Sequence, residues 1–235
     1  MIGQGVLITR PEPGAAETAR LVAALGWQPV LAPALLLTPR HFTFPRVQAL
    51  LLTSRAAARA LPLLGLPPDL PILTVGEETA AEARGCNFRD VTAATGDAAG
   101  LAVLVATRLH PAKGPLLLAI GRGYGAGLAT TLRAQGFSVL RRVAYDATPA
   151  ATLPPAAQAA LRQGGIGAAL FFSPRSAQSA MALLQAAGLA ATAGTIRALA
   201  ISGRVAEALA ALPWREVQVA ARPDQSRLLA LLGSY

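Results

Sequence analysis

Short apolar runs closed by small polar residues alternate along this chain with alanine-rich stretches of helical period. The apolar runs predict strands at Val6–Thr9, Val30–Leu36, Ala49–Leu52, Ile72–Val75, Val91–Ala93, Leu116–Ile120, Val139–Ala144, Ala168–Phe172, Ala198–Ile201 and Val217–Ala220. Helices fall between them. Gly14–Leu25 begins after Pro13 and stops at Gly26, and Ala126–Gln135 stops at Gly136. Steady strand–helix alternation predicts parallel sheets covered by helices on both faces.

The pattern also repeats. LLLTSRAAARAL from Leu50 reads like LFFSPRSAQSAM from Leu170, and ILTVGEETAAEA from Ile72 like LAISGRVAEAL from Leu199. Phe88-Arg89-Asp90-Val91 likewise matches Trp214-Arg215-Glu216-Val217. A period of roughly 120 residues is too long for a solenoid and marks duplicated domains. At 235 residues the chain has room for two domains. The middle five strands make one set, and the first two with the last three make another. The domains expected are therefore 1–36 with 152–235, and 46–145, joined by linkers 37–45 and 146–151. A simple cut near residue 115 is the alternative.

No apolar run approaches the roughly 20 residues of a membrane span, and the N-terminus enters a strand without a basic-then-apolar leader. Cys86 is the one cysteine, which excludes an intramolecular disulfide and a cysteine-based metal cluster and points to a reducing cytoplasm. The net charge is +9, and Lys113 is the single lysine among the basic residues. Arginine offers a fork of donors matched to carboxylates and phosphates, although a solvated arginine on an outer face needs no partner. Without an arginine block, and with only 5% aromatics, a nucleic-acid stripe is not expected.

In open parallel sheets ligands bind beyond the carboxyl ends of the strands. Those ends carry Thr9-Arg10, Thr53-Ser54-Arg55, Gly76-Glu77-Glu78-Thr79, Gly121-Arg122-Gly123, Ser173-Pro174-Arg175-Ser176 and Ser202-Gly203-Arg204. Any one Ser or Thr there need only cap its helix. Six such loops, each opening a helix whose backbone N–H groups are unpaired, describe a pocket for a ligand with several negative groups. GRGYGAG from Gly121 fails the dinucleotide spacing because Ala126 stands at the third glycine, although Asp146 lies where the fingerprint wants an acid. There is no Walker-type loop, and His41 and His110 sit in predicted loops unsuited to a metal or a Ser–His pair. The chain is built to hold a polyanion with little acid–base machinery.

TRP after the first strand, TSR at Thr53, VGEETAAEA at Val75, VAYDATP at Val143, FFSPRSA at Phe171 and AISGRVAEAL at the end together resemble the uroporphyrinogen-III synthase family, in order and over essentially the whole chain. The resemblance implies two flavodoxin-like α/β domains joined by a two-stranded linker, with the active site in the cleft. No metal or organic cofactor is expected from it, and the chain is expected to be a cytoplasmic monomer bound neither to membrane nor to nucleic acid. The resemblance further implies a lyase of porphyrin and heme biosynthesis that closes hydroxymethylbilane, a linear tetrapyrrole polycarboxylate, to uroporphyrinogen III with loss of water and inversion of the last ring. Tyr145 falls on the family's tyrosine, the candidate to assist departure of the hydroxyl. Arg10, Thr53, Ser54, Gly76, Thr79, Arg122, Ser173, Pro174, Ser176, Ser202 and Arg204 are the candidate substrate-binding residues. Two departures stand out: Val205 replaces the family's usual threonine, and Arg122 is shifted from the usual Pro-Arg-Gly. They favour the runner-up, a non-catalytic polycarboxylate-binding module on the same fold.

Overall fold

The computed structural model describes residues 3–233. The chain begins β1 (Gly5–Ile8), α1 (Gly14–Ala24), β2 (Gln28–Leu31) and β3 (Leu35–Pro39). It continues through β4 (Ala49–Leu52), α2 (Arg55–Arg59), β5 (Ile72–Val75), α3 (Glu77–Gly85), β6 (Val91–Ala94), α4 (Ala98–Arg108), β7 (Leu116–Gly121), α5 (Ala126–Ala134) and β8 (Val139–Pro149). It closes with α6 (Pro155–Arg162), β9 (Ile166–Phe171), α7 (Pro174–Ala186), β10 (Arg197–Ala200), α8 (Gly203–Ala208), β11 (Glu216–Val219) and α9 (Gln225–Ala230).

Two sheets result, in strand orders β11-β10-β9-β1-β2 and β3-β8-β7-β4-β5-β6. Pairings among the five strands of the first sheet, and among β4 to β8 of the second, are parallel. The chain divides into two compact units, one made of residues up to Leu36 and from Thr148 onward, the other of Leu37–Ala147. The outer bounds expected for the first of these, Met1 and Tyr235, lie outside the described residues. The segments expected as linkers, 37–45 and 146–151, hold parts of β3 and β8. At that edge Arg40 N–H bonds the Ala144 carbonyl at 2.8 Å and Ala150 N–H the Ala34 carbonyl at 3.0 Å. The single strand expected at Val30–Leu36 is broken, because Pro33 has no N–H to continue a ladder.

The repeats explain the strand orders. β4, β5 and β6 carry the segments that match β9, β10 and β11. Read from its β6 edge, the second sheet runs β6-β5-β4-β7-β8, and the first runs β11-β10-β9-β1-β2. The two sheets are one arrangement related by a circular permutation, with β1 and β2 in the places of β7 and β8.

The central strands β1, β4, β7 and β9 are buried at every position, as continuous apolar runs should be when both faces are covered. The edge strands β2 and β11 have no buried residue. Each sheet therefore has two cores. In the first unit, α1 and α9 close one face over Val6, Ile8 and Leu170, while α6, α7 and α8 close the other over Leu7, Ala169 and Phe171. In the second, α4 and α5 cover Leu51, Leu116 and Leu118, and α2 and α3 cover Leu50, Leu52 and Leu117. Gly26 and Gly136 end α1 and α5 at φ 85° and 89°, the left-handed turn that glycine adopts without penalty.

Phe171 is fully buried and meets Trp214 edge-on at 5.4 Å between ring centroids. Phe171→Ala should cost about 3–5 kcal/mol in denaturant unfolding. The change Val217→Ala on the exposed edge should stay within about 0.5 kcal/mol.

Candidate active site

Each sheet has one point where its connections change face. In the second sheet it lies between β4 and β7: α2, after β4, covers one face, and α5, after β7, covers the other. The loops at the carboxyl ends of these two strands diverge and leave a crevice. In the first sheet the same happens between β9 and β1, since α7 and α1 lie on opposite faces.

The crevice of the second unit brings together Ser54, Gly121 and Tyr145. Ser54 is the N-cap of α2, and its Oγ accepts the Ala57 N–H at 3.2 Å. Tyr145 stands on β8, one strand beyond β7, and its hydroxyl lies 3.3 Å from Ser54 Oγ. To get there the phenol crosses the end of β7, which only a glycine allows: a Cβ at Gly121 would lie 2.6 Å from Tyr145 Cζ. The β7–β8 register shifts between Ile120 and Gly121, which puts Gly121 opposite Tyr145, and Arg122 N–H then bonds the Tyr145 carbonyl at 3.1 Å. Thr53 is half-buried beside Ser54.

The next side chain on β8 builds a second cluster. Asp146 receives Arg122 Nε at 2.6 Å on one carboxylate oxygen and Arg40 Nε at 2.8 Å on the other. The Arg122 hydrogen bond, and then the charges of Arg122 and Arg40, hold the Asp146 carboxyl below its ordinary value. This acid, which lies where a dinucleotide fingerprint would want one, is engaged with two guanidinium groups. Arg40 falls in a segment read as a linker, where nothing local signals a contact with position 146.

One strand further out, Gly76 opens α3 at φ 72°, with its N–H on the Ala94 carbonyl at 3.2 Å. Thr79 is buried in the first turn of α3 at 5% exposure. Arg55 approaches Glu78 at 3.8 Å and Arg59 binds Glu82 at 2.7 Å, so both face α3.

In the first unit the predicted residues are largely committed to the fold. Ser173 caps α7 by accepting the Ser176 N–H at 3.1 Å, and Pro174 fills the first helical position, where no N–H is needed. Ser176 is buried and donates to the Thr9 carbonyl at 2.9 Å, while Thr9 donates to the Leu170 carbonyl at 2.8 Å. The first bond ties α7 to the end of β1, and the second ties the end of β1 to β9. Arg10 donates to Thr18 at 3.2 Å and Gln225 at 2.5 Å, and its guanidinium lies 4.3 Å from the Phe172 ring centroid. Ser202 stands at the cap of α8 without a side-chain bond to the helix, and Arg204 is exposed. Val205 is buried against α7 and β10, so a packing contact takes the place of a hydroxyl there.

A cavity of about 720 Å³ opens at the opposite edge of the first sheet, with Gln163, Thr195 and Arg215 in its walls. Among the described residues no three His, Cys, Asp or Glu side chains cluster as metal ligands, and no helix is long and apolar enough to cross a membrane. Burial beside Glu82 pushes the Cys86 thiol up.

Two doubly covered sheets, parallel apart from the β3 edge and each with a switch point at its strand ends, define an open α/β architecture. The model of the uroporphyrinogen-III synthase HemD family matches residues 16–230, and the chain belongs to that family, whose members are cyclising lyases of tetrapyrrole synthesis. In structure it is similar to the uroporphyrinogen-III synthetase of Helicobacter pylori 26695, at 15% identity over 97% of each chain with a TM-score of 0.64. It is also similar to a mutant uroporphyrinogen III synthase of the extreme thermophile Thermus thermophilus, at 20% identity over 97% of this chain and 95% of that one with a TM-score of 0.52. These two likenesses show the fold. No individually curated protein sequence matches the chain.

Because Asp146 is held below the ordinary aspartate value of 3.8, its stabilisation is complete above that value and is lost as the pH falls through the lowered one. The melting-temperature gap between wild type and Asp146→Asn should be constant from about pH 7 to 5 and close below about pH 4. A gap that widens on acidification contradicts this.

Proposed function

We propose that the chain closes hydroxymethylbilane to uroporphyrinogen III, releasing water and inverting the last pyrrole ring, with Tyr145 as the group that assists departure of the hydroxyl. The observation that carries this reading is the family match over residues 16–230. A tyrosine at the β4–β7 crevice supports it. The substrate is a polycarboxylate, and within each unit the strand-end loops, after β4, β5 and β7 in the second and after β1, β9 and β10 in the first, open helices whose first amides suit carboxylates. We take the two units as flavodoxin-like domains, with 37–45 and 146–151 as the two-stranded connection, and the protein as a cytoplasmic monomer without a nucleic-acid partner. The lone Cys86 fits a reducing compartment.

The chemistry asks for position more than for acid and base. The substrate loses its hydroxyl readily, and the carbon so exposed is attacked by the far ring. Attack at that ring's free carbon gives the uninverted isomer, whereas attack at its substituted carbon passes through a spiro intermediate to the inverted one. Holding the reacting carbons together is worth roughly 7–11 kcal/mol. A phenol hydroxyl can donate a hydrogen bond toward the leaving oxygen, which departs as water.

The test is to incubate the protein with freshly generated hydroxymethylbilane and separate the product isomers. Wild type should give isomer III, and Tyr145→Phe should give it roughly 10²–10⁴-fold more slowly at most, the range for general-acid help. Isomer I alone from the wild-type protein would favour the non-catalytic binding module. Wild-type turnover by Tyr145→Phe would remove the role of Tyr145.

A further inference from the structure

We propose that Ser54 and Gly121 are positioning residues for Tyr145: Gly121 clears the path of the phenol across the end of β7, and Ser54 aims and polarises its hydroxyl. The inference rests on the reading that Tyr145 acts on the leaving hydroxyl.

Three geometric facts carry it. First, the phenol occupies the space a side chain at position 121 would need. An added Cβ would lie 2.6 Å from Cζ, 2.8 Å from the hydroxyl oxygen and 2.9 Å from Cε2, all closer than a carbon contact allows. The backbone of Gly121 is not in the left-handed region, so alanine there meets the ring and no backbone strain. Second, the register shift between Ile120 and Gly121 places this glycine opposite Tyr145, and the Arg122 N–H to Tyr145 carbonyl bond fixes the pairing beyond it. Third, Ser54 Oγ already accepts the Ala57 N–H at 3.2 Å. The Ser54 hydroxyl so held lies 3.3 Å from the Tyr145 hydroxyl, and either of the two can donate to the other. A hydrogen-bond chain then joins the Ala57 amide, Ser54 and the Tyr145 hydroxyl. Hydrogen bonds in such a chain polarise one another.

The sequence places Ser54 among substrate-binding residues; the geometry assigns it a bond within the protein. The two roles separate in kinetics, since uniform substrate binding moves KM and a group acting in the transition state moves kcat. The experiment measures kcat and KM for isomer-III formation with Ser54→Ala, Ser54→Thr, Gly121→Ala, Tyr145→Phe, and the doubles Ser54→Ala/Tyr145→Phe and Gly121→Ala/Tyr145→Phe. Melting curves show that each variant is folded. Ser54→Ala should lower kcat by about three- to tenfold, the worth of one neutral hydrogen bond, with KM within about twofold of wild type. Ser54→Thr, which keeps the hydroxyl and the cap, should restore most of that loss. Gly121→Ala should fall toward the kcat of Tyr145→Phe. Both doubles should match Tyr145→Phe alone, because the positioning residues have nothing left to position.

Additive losses in the doubles would overturn the proposal, as would a Ser54→Ala effect confined to KM. If Gly121→Ala does not fold, the Ser54 cycle decides alone. Tyr145→Phe with wild-type kcat is a different outcome: it removes the role of Tyr145 and this inference with it, whereas a slow Tyr145→Phe with additive doubles removes the inference only.

Discussion

A parallel strand bonded on both sides, with helices on both faces, can open to solvent only at its ends. That constraint governs this protein. β1, β4, β7 and β9 are buried along their whole length, so none of their side chains is available to a ligand. The chain becomes accessible where these strands give way to loops, and it parts widest where successive helices go to opposite faces. The β4–β7 and β9–β1 boundaries are those places. At each, a serine caps the helix on one side, Ser54 on α2 and Ser173 on α7, in the same extended backbone conformation. The duplication has kept the crevice as well as the fold.

The two copies have since diverged in use. In the first unit the crevice is laced shut by Thr9 and Ser176, and Arg10 is tied to Thr18, Gln225 and Phe172. In the second, Gly121 leaves the end of β7 bare, and an aromatic hydroxyl fills the gap. The first unit's crevice keeps helix-start amides, and the second adds the phenol of Tyr145, which the proposed mechanism sets beside the leaving group. A catalyst without a histidine or a carboxylate pair needs little more when the substrate is already labile and the difficulty is where its ends meet.

Much of this was legible in the sequence. Ten apolar runs and three repeated segments led to strand positions that differ from the observed ones mainly at their ends, and the loops that line the crevices were found as strand ends rich in Ser, Thr, Gly and Arg. What escaped has a common cause. The break at Pro33 and the extension of β8 to Pro149 depend on edge pairing, which local period does not report. The Arg40–Asp146–Arg122 cluster joins residues far apart in sequence. Ser176 and Thr79, which the family resemblance makes substrate-binding candidates, are both buried, and burial is set by the neighbouring element. Gly121 belongs to a glycine run that does not complete a dinucleotide fingerprint, whereas its missing side chain matters to Tyr145 across a strand pair.

The central claim is that the switch-point loops, and not another surface, receive the polycarboxylate. Titrating the ¹⁵N-labelled protein with uroporphyrinogen III under anaerobic conditions and following backbone amide shifts tests it most directly. The account predicts that the amides of Ser54 to Ala57 and Gly121 to Gly123 in the second unit, and of Arg175 to Ala177 in the first, shift to saturation. If these stay still while amides around Thr195 and Arg215 move, the ligand enters the cavity at the opposite strand ends, and the account is wrong.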